Sequence, residues 1–138
     1  MVRKFYFSGA VLFSIGLLSG LWVSATFTEA VHVPIPHLAL AAHLNALLGG
    51  LWLIAVGATV PQLRYEEKQV SRLFWIVSVA AWANFLITLV ASYFGKTGLQ
   101  TGEGVVNDAI GITLRVFVVF PSLLGGFYWV RGFALRRK

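Results

Sequence analysis

"LALAAHLNALLGGLWLIAVGATV", residues 38–60, holds no Asp, Glu, Lys or Arg and a single histidine, His43. A helix needs roughly 20 apolar residues to cross the hydrocarbon of a bilayer, and this stretch supplies them. Three more apolar runs flank it: Phe5 to Phe27, Leu73 to Phe94 and Ala109 to Val130. Of the 138 residues, 58% are hydrophobic and 12% charged, where a soluble domain has about 25% charged. Mean hydropathy is +0.80. The expectation is an all-α integral membrane protein: one four-helix transmembrane domain over residues 1–138, with helices at about 5–27, 38–62, 72–95 and 108–131. The first run follows "MVRK", as a signal peptide would. It is longer than the usual h-region and lacks an A-x-A site, so it is expected to be a retained helix.

The formal net charge of +6 does not point to nucleic acid, because the cations sit in short clusters between apolar runs. Arg3, Lys4, Arg131, Arg136, Arg137 and Lys138 lie at the ends, and "RYEEKQVSR" (64–72) carries Arg64, Lys68 and Arg72. A four-span chain puts all of these on one side. The other side has "TEAVHVPIPH" (28–37) and "GKTGLQTGEGVVND" (95–108), with Lys96 as its one Lys or Arg. By the positive-inside rule both termini are expected to be cytoplasmic, in a bacterial inner membrane. The chain has no cysteine, which removes disulfides and thiolate metal sites.

Polar groups at membrane depth are costly and need a reason. With His43 as the origin and 100° per residue, Ala39, Ala46, Gly50 and Gly57 fall within about 60° of it. This lane of small side chains has two readings. It can admit a neighbouring helix, or it can let a flat ligand lie beside a histidine that serves as an axial haem ligand. Asn45 points about 200° away from His43, toward the far face with Leu48, Trp52 and Thr59. A single histidine suits zinc poorly, and His37 lies about 120° off the His43 face.

Asn84 lies near the middle of the third run, on one face with Ala80, Thr88 and Ala91 and opposite Trp82. Asp108, Gly111, Arg115, Ser122 and Gly126 are expected to share a face of the fourth. Arg115 is about 10 Å along the helix from Asp108. It can snorkel to the outer interface or meet an anion such as a haem propionate. Pro121 should bend this helix. Gly16, Gly20 and Ser24 form a small-residue stripe on the first, read as helix contact.

"AHLNALLGGLWLIAVGATVPQL" (42–63), preceded by "HVP" (32–34) and followed by "WAN" (82–84) and a loop with "GL" (98–99), resembles the styrene oxide isomerases. The resemblance covers about Val31 to Val130. It implies a four-helix membrane protein that forms a homotrimer, binds haem b and rearranges aryl epoxides to aldehydes. It also implies that His43 is the axial ligand. On that expectation Ala39, Ala46, Gly50 and Arg115 join His43 around the haem, Asn84 and Thr88 are the candidate catalytic positions, and the partners are the lipid bilayer and a small hydrophobic substrate. The chain departs from the family at three polar positions, carrying Gly49 for an Asn, Ala80 for an Asp and Thr88 for a Tyr. A non-catalytic haem protein, either sensor or electron carrier, is the alternative, and a cofactor-free structural protein is the third reading.

Overall fold

The computed structural model describes residues 1–134. Arg136, Arg137 and Lys138, part of the terminal positive cluster, lie outside the described residues. Four helical spans long and apolar enough to cross a membrane follow one another. They are α1 (Val2–Phe27), α2 (Pro36–Thr59), α3 (Glu67–Phe94) and a composite fourth span. The fourth consists of α4 (Val105–Leu114), a π turn (Arg115–Val119) and α5 (Phe120–Ala134). The expected all-α membrane bundle is the observed architecture.

Local chemistry sets the helix ends more than apolarity does. α2 begins at Pro36, whose fixed φ and missing N–H suit a first helical position. α3 begins with a capping box: the Glu66 side chain takes the Gln69 N–H, and Gln69 Oε1 accepts from the Glu66 N–H at 2.9 Å. That pair starts the helix at Glu67, before the apolar run. Gly95 ends it with φ +61°, a left-handed conformation natural to glycine. The following loop is held by Asn107, which is fully buried. Its Oδ1 accepts from Gly98 N–H at 2.9 Å and its amide donates to the Gln100 carbonyl. Asp108 Oδ1 accepts from Gly102 N–H at 2.9 Å, so Asp108 clamps the loop rather than pairing with Arg115.

The tightest seam joins α1 to α2. A Cβ on Gly50 would lie 2.7 Å from the Gly9 carbonyl oxygen and from Phe13 N, and one on Gly57 would lie 2.7 Å from Phe5 Cβ. Backbones can approach this closely only where side chains are absent. Gly16 and Gly20 take part as expected, against Leu47 and His43. Ser24 does not, since it is exposed. α3 packs on α2, and its buried Leu73, Phe74, Val77, Ala81 and Phe85 join Phe5, Leu12, Leu53 and Val56 in the core. Two indole N–H groups cross between helices, Trp82 to Ser8 Oγ at 2.9 Å and Trp129 to Thr59 Oγ1 at 2.8 Å.

The α2–α3 connection meets α5 at one end. Arg64 N–H donates to the Gly132 carbonyl at 3.0 Å, and the Tyr65 hydroxyl donates to the Tyr128 carbonyl at 2.6 Å. Burial raises the Tyr65 pKa above the ordinary tyrosine value, while the Arg131 charge works the other way. The same end of the bundle carries Arg3, Lys4, Lys68, Arg72 and Arg131.

The π turn answers the expectation of a bend at Pro121. Proline has no N–H for the Phe117 carbonyl and its ring crowds that carbonyl. The chain widens just upstream, with Phe120 N–H reaching back to the Arg115 carbonyl. The face expected to run through Asp108, Arg115 and Ser122 is therefore broken beyond Arg115. Gly111 sits against the Gly98 backbone, Arg115 is exposed, Ser122 lines an internal crevice, and a Cβ on Gly126 would touch nothing within 4 Å.

Candidate functional site

Two groups of polar residues inside the bundle bear on a site, and they lie on opposite sides of α2. The first surrounds His43. Its Nδ1 lies 2.7 Å from the Gly16 carbonyl oxygen and 3.3 Å from Ser19 Oγ, and Ser19 itself donates to the Gly16 carbonyl at 2.7 Å. A carbonyl can only accept, so Nδ1 carries the hydrogen and a neutral ring keeps its lone pair on Nε2. Metal-ligating histidines are commonly oriented in this way, by a carbonyl on the far nitrogen. Nε2 makes no hydrogen bond among the described residues. Gly20 leaves open the ring edge, for a Cβ there would lie 3.2 Å from Cε1 and 3.8 Å from Nε2. The imidazole is thus tethered on one nitrogen and available on the other, a donor set that fits an axial ligand.

The lane around it is filled differently from the flat-ligand reading. Ala39, Ala46 and Gly50 are buried, with Gly50 pressed on Gly9 and Phe13 of α1. A planar group approaching His43 would meet the outer edge of the seam, beside Gly20. Arg115 belongs to the span that packs on α3, not to the α1–α2 seam; it is exposed and makes no ion pair among the described residues. Within one chain the structure does not bring it to His43. His32 and His37 are exposed, and His37 stacks edge-on with Phe27.

The second group bridges α2 and α3. Asn45 Nδ2 donates to Asn84 Oδ1 and to Thr88 Oγ1, each at 3.1 Å. Asn84 and Thr88, named from sequence, are therefore brought together. Asn45 ties them and was missed as a site residue, though its turn away from His43 was expected. The signal was available: Asn45 and Asn84 are the two amides near the middle of adjacent spans.

These amides line a crevice of about 240 Å³ with Gly49, Trp52, Ala80 and Ser122. With its oxygen engaged by Asn45, Asn84 has its own NH2 free of protein partners among the described residues. Such a donor, in an apolar recess, is worth more toward a developing oxyanion than it would be in water. Gly49 and Ala80, two of the three departures from the family pattern, are walls of this crevice, and Thr88 adjoins it through Asn45. Their short side chains put no polar group into the crevice at the positions where the family pattern has one.

The profile of the styrene oxide isomerase family matches residues 1–134, so the chain belongs to that family. It is similar to hydroxylaminobenzene mutase HabB of Ectopseudomonas oleovorans, 28% identical over 91% of this chain and 80% of the relative. It is also similar to hydroxylaminobenzene mutase HabA of the same organism, 30% identical over 69% of this chain and 65% of the relative. No solved structure matches. Together these make the chain a membrane isomerase or mutase.

Proposed function

We propose that this member of the styrene oxide isomerase family rearranges a small aryl compound inside the bilayer, by moving it through a cation formed as an oxygen leaves carbon or nitrogen. Its membership carries the reaction class, and the amide-lined crevice beside Asn84 carries the assignment of the site. Hydroxylaminobenzene is the first substrate to test, because two relatives are mutases of that compound. Its hydroxyl would leave nitrogen and join a ring carbon, and a ring proton would replace it on the nitrogen, giving an isomeric aminophenol. An aryl epoxide is the second, favoured by the family description; its benzylic C–O bond would open and a hydride would shift to give an aldehyde. Neither reaction needs water or a redox partner.

In this reading the Asn84 amide donates to the departing oxygen, and Asn45 and Thr88 hold that amide in place. Trp52 and the apolar walls keep water from the cation. His43 would hold haem b through Nε2, and a bound iron would supply Lewis acidity toward the oxygen. His43 and Asn84 face opposite sides of α2, so a site that uses both is completed between copies, in keeping with a homotrimer. The termini are assigned to the cytoplasmic face of a bacterial inner membrane.

The test is expression with ample haem, followed by a visible spectrum and separate incubation with hydroxylaminobenzene and styrene oxide. A Soret band with formation of an aminophenol or phenylacetaldehyde is expected. A Soret band without either product would favour the non-catalytic haem protein, and a colourless, inactive protein would leave the cofactor-free reading.

A further inference from the structure

A groove runs down the surface between α3 and α5, away from both polar groups. Its mouth, at the basic end of the bundle, has a volume of about 490 Å³ and is lined by Lys68, Ser71, Arg72, Trp75 and Tyr128. Its deeper part, about 260 Å³, is wholly apolar and lined by Trp75, Val79, Phe120, Pro121 and Leu124. Trp75, Ile76 and Leu124 belong to both parts, so the groove is continuous. Lys68 and Arg72 are one helical turn apart on α3, exposed, and make no ion pair among the described residues. Of the two nearest acids along the chain, Glu66 is held in the capping box, and Glu67 is exposed at the first position of α3.

From Lys68 to Val79 the groove descends about 16 Å at the rise of an α-helix. Half of the hydrocarbon core is roughly 15 Å. The groove therefore matches the depth of one leaflet, with two cations at headgroup level and a wholly apolar deeper part. Trp75 and Tyr128 stand near the boundary, where aromatic side chains with polar tips settle.

We infer that this groove is a binding site for an anionic phospholipid, whose phosphate meets Lys68 and Arg72 while one acyl chain lies along Trp75, Val79, Phe120 and Leu124. Charge complementarity selects this occupant over a zwitterionic lipid, because two basic groups at a membrane surface each favour an anionic headgroup. Pro121 and the π turn above it shape the apolar part, for the widened backbone sets the line of Phe120 against α3.

The experiment places the purified full chain in phosphatidylcholine vesicles and titrates in phosphatidylglycerol with brominated acyl chains, a quencher of tryptophan emission. Brominated phosphatidylcholine is the control. Phosphatidylglycerol should quench a component of the emission at roughly tenfold lower mole fraction. That component should vanish in Trp75→Phe, and the preference should vanish in the Lys68→Gln/Arg72→Gln double variant. The preference should also shrink in the unaltered protein as salt rises, a measurement that does not rely on the variants folding. Equal quenching by both lipids, a preference that survives the double variant, or a Trp75 that neither lipid reaches because a second copy covers the groove would each overturn the assignment.

Discussion

Along the α1–α2 seam the two backbones touch. Gly9, Gly16, Gly50 and Gly57 leave no space for a Cβ, and His43 of α2, beside Ser19, is fastened to a carbonyl of the facing helix. Across the bundle the crevice between α2, α3 and α5 is held open. Its walls are two alanines, a leucine, a glycine, a serine, an indole and two amides, one of which donates to the other. The contrast shows a division of labour. One face of α2 fixes the scaffold and aims an imidazole, while the other keeps a void and a donor with spare capacity.

The contrast is most easily broken at the seam. Gly50→Leu puts a branched side chain into the Gly9 and Phe13 backbones, which cannot move aside like side-chain ends. A loss of about 3 kcal/mol or more is expected, read as failure to elute as a folded species in mild detergent. Gly49→Ala, whose Cβ would meet the side chains of Ala81 and Leu12 at 3.2 Å rather than a facing backbone at 2.7 Å, should do less to folding than Gly50→Ala.

Next is His43→Ala. The proposed haem should be absent, and turnover should fall by at least about 100-fold, with the helical content unchanged. A full Soret band in that variant would remove the ligand assignment. Asn84→Leu should act on the opposite face alone, lowering turnover by about 100-fold with the haem complement intact. Thr88→Val removes one bond to Asn45, a contribution of about 0.6 kcal/mol, so about a threefold loss is expected. Were Thr88→Val to abolish activity, Thr88 would be touching the substrate rather than orienting Asn45.

One change in the core should instead be a gain in stability. Ser78 Oγ is buried with no hydrogen-bond partner. Ser78→Ala should stabilise the bundle by about 1 kcal/mol, read as a higher midpoint in denaturant.

Length and apolarity were enough to find the four spans, because hydrocarbon thickness is a stringent ruler. The helical rotation per residue was enough to separate His43 from Asn45 and Trp82 from Asn84. What it could not separate were two uses of one pattern. A lane of Ala39, Ala46 and Gly50 reads identically whether a helix or a flat ligand fills it, and only the position of α1 decides. The Asn45–Asn84–Thr88 bridge needed the depth of two helices relative to each other, which the loops set and a single helix does not encode. The face from Asp108 to Ser122 failed for a third reason: the uniform 3.6-residue period is broken after Arg115 by the π turn, while Asp108 is drawn to the Gly102 N–H.

That interruption governs the whole last span. A π turn holds one residue more than the same rise of α-helix, so the residues beyond it are rotated by about 100° from where an unbroken helix would put them. The segment before it is keyed to the Gly98 loop through Gly111, and the segment after it to Trp52 and Val77 through Gly125. The insertion works as a phase shifter: it lets a single rod satisfy two mismatched docking partners. Deleting one of its residues would make a more regular helix and a worse-fitting protein.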